Sequence, residues 1–162
     1  MIWQTSSTGS EDTLKLGELL GKLLSPPAVI ELRSDLGGGK TTFVRGLAAG
    51  AGSKDIVSSP TFTLNKIYKL QQGKQIHHFD FYRLSEPGII ADQLAESLDN
   101  SNVVTVIEWS DIVKGVLPAH RIVIEFNPVE DNSDEREIKL MYPENLQGVV
   151  RKVETDWVET RP

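Results

Sequence analysis

The sequence predicts an α/β fold with a mostly parallel central sheet, and two patterns in the chain predict it. Residues 28–33 form a short β-type run that leads through the glycine-rich segment 34–39 into an amphipathic helical pattern from about 40 to 49. Residues 103–107 form a nearly continuous apolar run, which is typical of strands that a parallel sheet buries on both faces. Strand, glycine loop and helix in succession, with a further buried strand, therefore indicate this fold class.

The two ends of the chain carry helical patterns. Ser10 is a suitable N-cap for a first helix, whose leucines recur at the 3.6-residue period until Pro26 and Pro27 end it. Residues 143–162 are predicted to form a helix and then a tail. Since no repeat or linker divides the sequence, residues 1–162 are predicted to be one domain.

The other elements are predicted to add strands and a helix to this frame. Residues 61–70 and 75–84 are rich in Thr, Ile, Tyr and Phe and predict a long β-hairpin, and residues 91–98 predict a short helix. Residues 121–126 and 136–141 alternate polar and apolar side chains around an acidic loop. This alternation predicts an antiparallel pair at a sheet edge.

Composition excludes several classes of protein. With 162 residues, 39% hydrophobic and 25% charged, the chain has the composition of a globular protein. It has no cysteine, which excludes disulfides, thiolate metal sites and a cysteine nucleophile. The early acids Glu11 and Asp12 do not suit a signal peptide, and no apolar run reaches the roughly 20 residues of a membrane span. We therefore expect a cytoplasmic protein with no membrane partner.

The charge is unevenly distributed along the chain. The net charge is −6, with ten basic and seven acidic residues in 1–85 but seven basic and sixteen acidic in 86–162. Binding to bare nucleic acid depends on phosphate neutralisation by Lys and Arg, which this balance disfavours. Any nucleic-acid contact is expected to be weak or indirect and to involve residues 1–85.

The most specific motif is Ser34-Asp-Leu-Gly-Gly-Gly-Lys40-Thr41, which departs from the phosphate-loop pattern G-x-x-x-x-G-K-[ST] only at its first position. Small residues let backbone N–H groups turn towards phosphate oxygens at a helix N-terminus. Lys40 would neutralise phosphate charge, and the Thr41 hydroxyl would bind Mg²⁺. A glycine-rich turn that caps a helix and leaves the lysine exposed is the alternative.

Two carboxylates and a hydroxyl are candidates for binding the metal, the attacking water and the γ-phosphate beside such a loop. Glu108 ends the most buried strand, where ligand sites of open α/β sheets lie, and could hold the metal. Asp80 shares a strand face with His78 and could orient an attacking water. Thr61, about twenty residues after the loop, could sense a γ-phosphate through its hydroxyl. Exposed strand or turn residues remain the alternative for each.

Four motifs in series resemble the TsaE family, also called the YjeE family, of tRNA threonylcarbamoyladenosine biosynthesis proteins. They are 34–42, 59–62, 78–84 and 106–109, and the resemblance runs from roughly residue 10 to 140. It implies a P-loop NTPase-like three-layer α/β fold, with a central mostly parallel sheet and flanking antiparallel strands. It also implies a Mg²⁺-dependent ATPase of low turnover.

The resemblance implies partners as well. Family members support the two paralogous subunits of the bacterial tRNA threonylcarbamoyltransferase complex, which modify adenosine at position 37 of tRNAs reading codons that begin with A. Their nucleotide state is thought to reset the complex between turnovers. The tRNA itself is then an indirect or weak partner.

The matching positions imply a set of functional residues. Ser34 replaces the usual first glycine, which implies altered nucleotide binding and strain if its φ is positive. Trp109, Tyr82 and Arg83 match family positions that the sequence leaves open between nucleotide and partner contact. The implied nucleotide-binding residues are Gly37, Gly38, Gly39, Lys40, Thr41 and Thr42, with Ser10, Thr13 and Arg136 near the adenine; the implied catalytic residues are Lys40, Thr61, Asp80 and Glu108, and the implied magnesium ligands are Thr41 and Glu108.

Three other functions share the phosphate loop. A small-molecule kinase would need a lid that supplies arginines, and the sequence has no arginine cluster. A GTP-dependent switch would need N-K-x-D, whereas the segment 65–68 reads Asn-Lys-Ile-Tyr. A non-hydrolysing, nucleotide-dependent scaffold would need neither the arginine lid nor the N-K-x-D motif. Mutation of Glu108 would distinguish it from an ATPase, because a scaffold would keep its cellular role without hydrolysis.

Overall fold

A computed structural model of the chain describes residues 1–130 and 132–160. Within these ranges, the first strands alternate with helices and the later ones also follow one another directly, with short 3₁₀ segments at Gln71–Gly73, Ser110–Val116 and Glu144–Leu146. The strands are β1 (Ile2–Ser7), β2 (Ala28–Arg33), β3 (Asn65–Lys69), β4 (Gln75–Asp80), β5 (Val103–Glu108), β6 (Ile122–Val129) and β7 (Asn132–Met141); the helices are α1 (Ser10–Leu23), α2 (Lys40–Gly50), α3 (Ile89–Asp99) and α4 (Gln147–Glu159).

The strands form one sheet in the order β1-β7-β6-β2-β5-β4-β3. The four central strands, β6, β2, β5 and β4, pair in parallel, and β3 on one side and β7 and β1 on the other pair antiparallel. Every residue of β5 is buried, as its apolar run predicts. The predicted fold, a mostly parallel sheet with flanking antiparallel strands, is confirmed.

Helices cover both faces of the sheet. One apolar cluster joins α1, α2 and α4 to one face through residues such as Leu16, Phe43 and Trp157. A second cluster joins α3 and the 110–116 segment to the other face through Leu94 and Val113. The molecule therefore has three layers, and the carboxyl ends of its parallel strands share one edge of the sheet. Among the described residues, no helix is long and apolar enough to cross a membrane.

Helices α1 and α2 pack through glycines that each helix contributes. A Cβ atom built on Gly46 would lie 1.9 Å from the backbone oxygen of Leu14, and one on Gly50 would lie 2.1 Å from that of Glu18. Gly17 of α1 likewise has no room for a Cβ atom, because the oxygen of Phe43 would be 2.2 Å away. The two backbones are therefore in direct contact, which explains glycines that are costly to helix formation.

The amino-terminal strand is the main departure from the sequence prediction. The predicted antiparallel pair is present as β6 and β7, but β1 pairs with β7, so the pair does not lie at the sheet edge, and that part of the prediction was wrong. The strand is inconspicuous because Gln, Ser and Thr occupy most of its positions. The N-cap of α1 is Gly9 and not Ser10, which is the first helical residue.

The predicted hairpin is present with shorter arms. Its strands are Asn65–Lys69 and Gln75–Asp80, while residues 61–64 and 81–84 are irregular. Leu64 has a positive φ of 67° and its N–H donates to the Pro60 carbonyl, so the chain turns before β3 begins. Asp131 of the acidic loop and residues 161–162 of the predicted tail lie outside the described residues.

Candidate nucleotide-binding site

The glycine-rich loop joins β2 to α2 and depends on its glycines. Gly37 has φ 75°, and Gly39, the N-cap of α2, has φ 100°, a region that L-residues rarely adopt. A Cβ atom on Gly38 would lie 2.3 Å from the Ser34 Oγ. Thr41 and Thr42 follow in the first turn of α2. The loop therefore presents backbone N–H groups at a helix N-terminus, which is a favourable place for anions.

Ser34 occupies the first loop position without backbone strain. Among the described residues, positive φ angles outside glycine occur at Leu64, Gln72 and Trp109, and not at Ser34. The Ser34 Oγ donates a hydrogen bond to the Asp35 carbonyl at 2.8 Å and accepts one from Lys40 Nζ at 2.8 Å. The serine side chain is thus part of the lysine's hydrogen-bond network, and its effect on nucleotide affinity stays a prediction.

Lys40 lies inside the loop. Its Nζ also donates to the carbonyls of Ser34 at 3.2 Å and Asp35 at 3.0 Å, and lies 4.9 Å from the centroid of the Trp109 ring. Burial lowers the pKa of Lys40, and the carboxylates of Glu108 and Asp80 oppose that shift. A buried ammonium between loop carbonyls and two carboxylates is held where it can neutralise phosphate oxygens.

The two candidate carboxylates lie side by side at the ends of adjacent strands. Asp80 of β4 is in register with Glu108 of β5, and both are buried. Asp80 Oδ2 accepts a hydrogen bond from the Thr61 hydroxyl at 2.7 Å, and its Oδ1 accepts one from the Tyr82 N–H at 2.9 Å. Thr61 in turn shares a 2.6 Å hydrogen bond with Ser59. The hydroxyl, the carboxylates and the loop therefore meet at one edge of the sheet.

A cavity of about 250 Å³ joins these groups. Its lining residues are Leu36, Gly37, Gly38, Gly39, Lys40, Thr41, Thr42, Ser59, Thr61, Asp80, Glu108 and Trp109. The structure thus gathers the predicted phosphate, metal and water-orienting residues around a single space.

The three residues expected near the adenine line a second cavity of about 180 Å³, on the other side of the loop. Ser10 and Thr13 come from the first turn of α1, and Arg136 comes from β7. The two cavities share Gly37, Gly38, Gly39 and Thr42, so the loop lies between them. Together they provide a place for the two ends of a nucleotide.

The sequence did not indicate several neighbours of the predicted residues. Ser133 and Asp134 line the second cavity, and they reach it through the position of the amino-terminal end of β7, which the sequence does not specify. Ser59 lies in the 59–62 motif, and no sequence pattern indicates its hydrogen bond with Thr61. The contact of His78 with Glu108, at 2.7 Å, depends on the adjacency of β4 and β5 and has no sequence signal.

The structure also separates the residues left open between nucleotide and partner contact. Trp109 lines the nucleotide cavity, and its ring centroid is 4.8 Å from that of Tyr82. Arg83 instead lies over the ring of Phe62, which is 80% exposed, at 4.3 Å. Trp109 therefore lies in the same cavity as Lys40, whereas the Arg83–Phe62 pair lies on the surface.

A buried ionic network anchors the segment that follows Glu108. Glu31 of β2 accepts hydrogen bonds from Ser110 Oγ at 2.6 Å, Arg121 Nε at 2.6 Å and Arg33 Nε at 2.8 Å. Burial alone would raise the pKa of Glu31, but these hydrogen bonds outweigh it and lower the pKa to about 2. The network ties the turn that carries Trp109 to the strand that precedes the phosphate loop.

Replacing Glu31 with glutamine is expected to lower the free energy of unfolding by about 3 kcal/mol near pH 7. A carboxylate whose pKa falls from 4.5 to about 2 on folding adds stability above pH 4.5, and that stability is lost as the pH falls through about 2. Denaturant unfolding at a series of pH values should therefore show the gap between wild type and variant narrowing over this interval. The exposed Glu144→Gln is the control, and a constant gap for Glu31→Gln would contradict the prediction.

The oxygen groups of the cavity suit a magnesium ion. Mg²⁺ prefers oxygen ligands and is held by one or two protein groups together with substrate phosphates and water. The Thr41 hydroxyl and the Glu108 carboxylate provide such a pair in the same cavity. Within the described residues there is no group of three or more His, Cys, Asp or Glu side chains that could hold a metal alone. The donor set therefore fits a metal that a nucleotide helps to bind.

Comparisons with known proteins agree on one family. A family model described as Threonylcarbamoyl adenosine biosynthesis protein TsaE matches residues 7–138. A tRNA threonylcarbamoyladenosine biosynthesis protein TsaE of Haemophilus influenzae is 38% identical over 133 residues, which cover 82% of each chain. The protein of the same name from Bacillus subtilis is 35% identical over 136 residues, which cover 84% of this chain and 82% of that one. The crystal structure of Bacillus subtilis YdiB superposes with a TM-score of 0.78 at 28% identity and covers 96% of both chains.

Proposed function

The chain belongs to the TsaE family of tRNA threonylcarbamoyladenosine biosynthesis proteins, and we propose that it serves this modification by binding and slowly hydrolysing ATP. The observation that carries the proposal is the convergence of the phosphate loop, Lys40, Thr61, Asp80 and Glu108 on one cavity. A glycine-rich turn that only caps a helix would not need two buried carboxylates in register beside it.

Each group has a role that its position supports. The loop N–H groups and the N-terminus of α2 bind the phosphates, and Lys40 neutralises charge that develops on the β- and γ-phosphates. Thr41 and Glu108 would hold Mg²⁺, which when bound supplies positive charge to the phosphate oxygens. Asp80, oriented by the Thr61 hydroxyl, accepts a hydrogen bond from the attacking water and aligns it with the γ-phosphate.

The nucleotide lies across the loop in this proposal. Its phosphates occupy the cavity with Lys40, and its base and ribose occupy the cavity lined by Ser10, Thr13 and Arg136. Helix α1 supplies the base side and α2 the phosphate side, and the direct contact of the two helices keeps these parts close together.

A role in this biosynthesis associates the chain with the tRNA modification machinery. The finer proposal is that it acts on the two paralogous subunits of the bacterial tRNA threonylcarbamoyltransferase complex, which modifies adenosine at position 37. The charge distribution supports protein partners over direct tRNA binding, since residues 86–162 carry sixteen acidic and seven basic side chains.

The test is to measure phosphate release from ATP by the purified chain, alone and with the two subunits and tRNA, together with the modified nucleoside formed. We expect the chain to hydrolyse ATP slowly alone and faster with the partners. We expect each complex to modify more than one tRNA only when ATP is hydrolysed. Hydrolysis that a small metabolite stimulates and the subunits do not would favour a kinase. Full modification by a Glu108→Gln variant that binds ATP without hydrolysing it would favour the scaffold.

A further inference from the structure

His78 makes a contact that the proposed chemistry does not yet use. Its Nε2 lies 2.7 Å from Glu108 Oε1, and the side chains are 0% and 4% exposed. His78 is in register with Val106, two residues before Glu108 on the adjacent strand. The imidazole therefore contacts the Glu108 carboxylate without being one of the residues that line the cavity.

The ring forms this one hydrogen bond and no other within the described part of the chain. Its Nδ1 is buried and has no hydrogen-bond partner there. Because a carboxylate can only accept, Nε2 must carry the hydrogen of the bond to Glu108. A buried polar atom without a partner costs free energy, so an apolar side chain would fill this position more cheaply. The bond to Glu108 is the interaction that distinguishes histidine from such a side chain.

The contact leaves the other carboxylate oxygen for the cavity. Glu108 Oε2 forms no hydrogen bond to a described residue. It is also not fully buried, because the fully buried polar side-chain atoms without a partner do not include it. Since Glu108 lines the nucleotide cavity, this oxygen has access to it. The Tyr68 ring, 6.2 Å from the imidazole between centroids, packs on the histidine and limits its movement. The hydrogen bond from His78 thus holds Glu108 Oε1, and Oε2 remains accessible from the cavity.

We propose that His78 is a positioning residue that fixes the orientation of the Glu108 carboxylate towards the Mg²⁺ of the bound nucleotide. The inference rests on the proposed function. A carboxylate without this bond could rotate its free oxygen away from the metal, and partners that orient a metal ligand typically change metal affinity by about 10–100-fold when removed.

The experiment compares two variants with an amide side chain, which differ in how far the amide nitrogen lies from the backbone. The amide nitrogen of His78→Gln can occupy the place of Nε2 and donate to Glu108, whereas that of His78→Asn ends near the place of Nδ1 and falls short. His77→Asn is the matched control, because His77 lies on the opposite strand face and its ring contacts Gln75 at 2.9 Å. For each variant, calorimetry measures ATP affinity with chelator and with Mg²⁺, and hydrolysis is measured against Mg²⁺ concentration.

We expect His78→Asn to raise the Mg²⁺ concentration for half-maximal hydrolysis at least about 10-fold and to lose most of the Mg²⁺-dependent gain in ATP affinity. Affinity in chelator should stay within about 3-fold of wild type, as should every value for His78→Gln and His77→Asn. Wild-type Mg²⁺ dependence in a folded His78→Asn would overturn the inference. Where His78→Asn does not fold, a folded His78→Gln with Mg²⁺ dependence weakened about 10-fold would overturn it too. A wild-type protein that neither binds nor hydrolyses ATP would instead contradict the proposed function, and this inference with it.

Discussion

Lys40→Ala is expected to lower the rate of ATP hydrolysis by at least about 100-fold, because removing one preorganised electrostatic group from a buried site typically has an effect of this size. Lys40 is the one cation among the described residues that line the phosphate cavity, so no neighbouring side chain can replace its charge. The rate should be measured as phosphate release at saturating ATP and Mg²⁺, with the partner subunits present.

The same substitution should leave the fold intact. Burial lowers the pKa of Lys40, which means that burial disfavours the ammonium form in the folded protein, and this offsets part of the stability that is lost with its three hydrogen bonds. Circular dichroism should therefore show Lys40→Ala folded at the temperature of the assay. The control is Lys54→Ala, an exposed lysine away from the cavity, which should keep its full activity. Hydrolysis by Lys40→Ala within a few-fold of wild type would exclude the proposed site.

Gly46→Ala is expected to lower the free energy of unfolding by about 2–3 kcal/mol, although alanine favours helices more than glycine does. The added Cβ atom would lie 1.9 Å from the Leu14 carbonyl oxygen, which belongs to the backbone of α1 and cannot move without moving the helix. A loss of this size should reduce the melting temperature by roughly 5–10 °C for a domain of this length. Thermal unfolding followed by circular dichroism measures it.

Gly148→Ala is the matched control for this prediction. Gly148 is also a helical glycine, in α4, but a Cβ atom there would meet nothing within 4 Å. That variant should be as stable as the wild type or more stable by about 0.5 kcal/mol. Equal melting temperatures for the Gly46 and Gly148 variants would mean that α1 and α2 do not pack as closely in solution as described. Separating α1 from α2 should also weaken ATP binding, because Thr13 lies beside Gly39 at their amino-terminal ends.

The centre of the fold could be predicted from the sequence, and its edges could not. Strands β2 and β5 are buried on both faces, so their apolar runs identify them without knowledge of neighbours. Strand β1 has one weakly apolar face and becomes recognisable only through its pairing with β7. The first hairpin arm begins late because Pro60 and Leu64 form a turn stabilised by backbone hydrogen bonds, which overrides the β-propensity of the residues between them, and the second arm ends early where Leu84 N–H donates to the Phe81 carbonyl.

The site shows the same division. Glu108 and Asp80 end neighbouring parallel strands, so a shared edge could be predicted once both strands were recognised. The contact between His78 and Glu108 required the order of strands in the sheet, which propensity does not specify. The hydrogen bond of Ser34 to Lys40 required the path of the loop backbone. The residues that line the cavity could thus be chosen as candidates from the sequence, whereas the contacts that orient them depend on tertiary structure.

The glycine contacts of α1 with α2 also determine which part of the site can register a change of nucleotide. Two helices joined backbone to backbone are expected to behave as a rigid frame, so under the proposed function the distance between the base end and the phosphate loop should be the same for ATP and ADP. The opposite wall is a loop, residues 57–64, tied to the sheet mainly by side chains: the Tyr68 hydroxyl donates to the Ser58 carbonyl and Thr61 donates to Asp80. If the chain hydrolyses ATP as proposed, loss of the terminal phosphate is expected to change the surroundings of Thr61 while the helices keep their places, so that this loop, and not the helix pair, would signal hydrolysis to a partner.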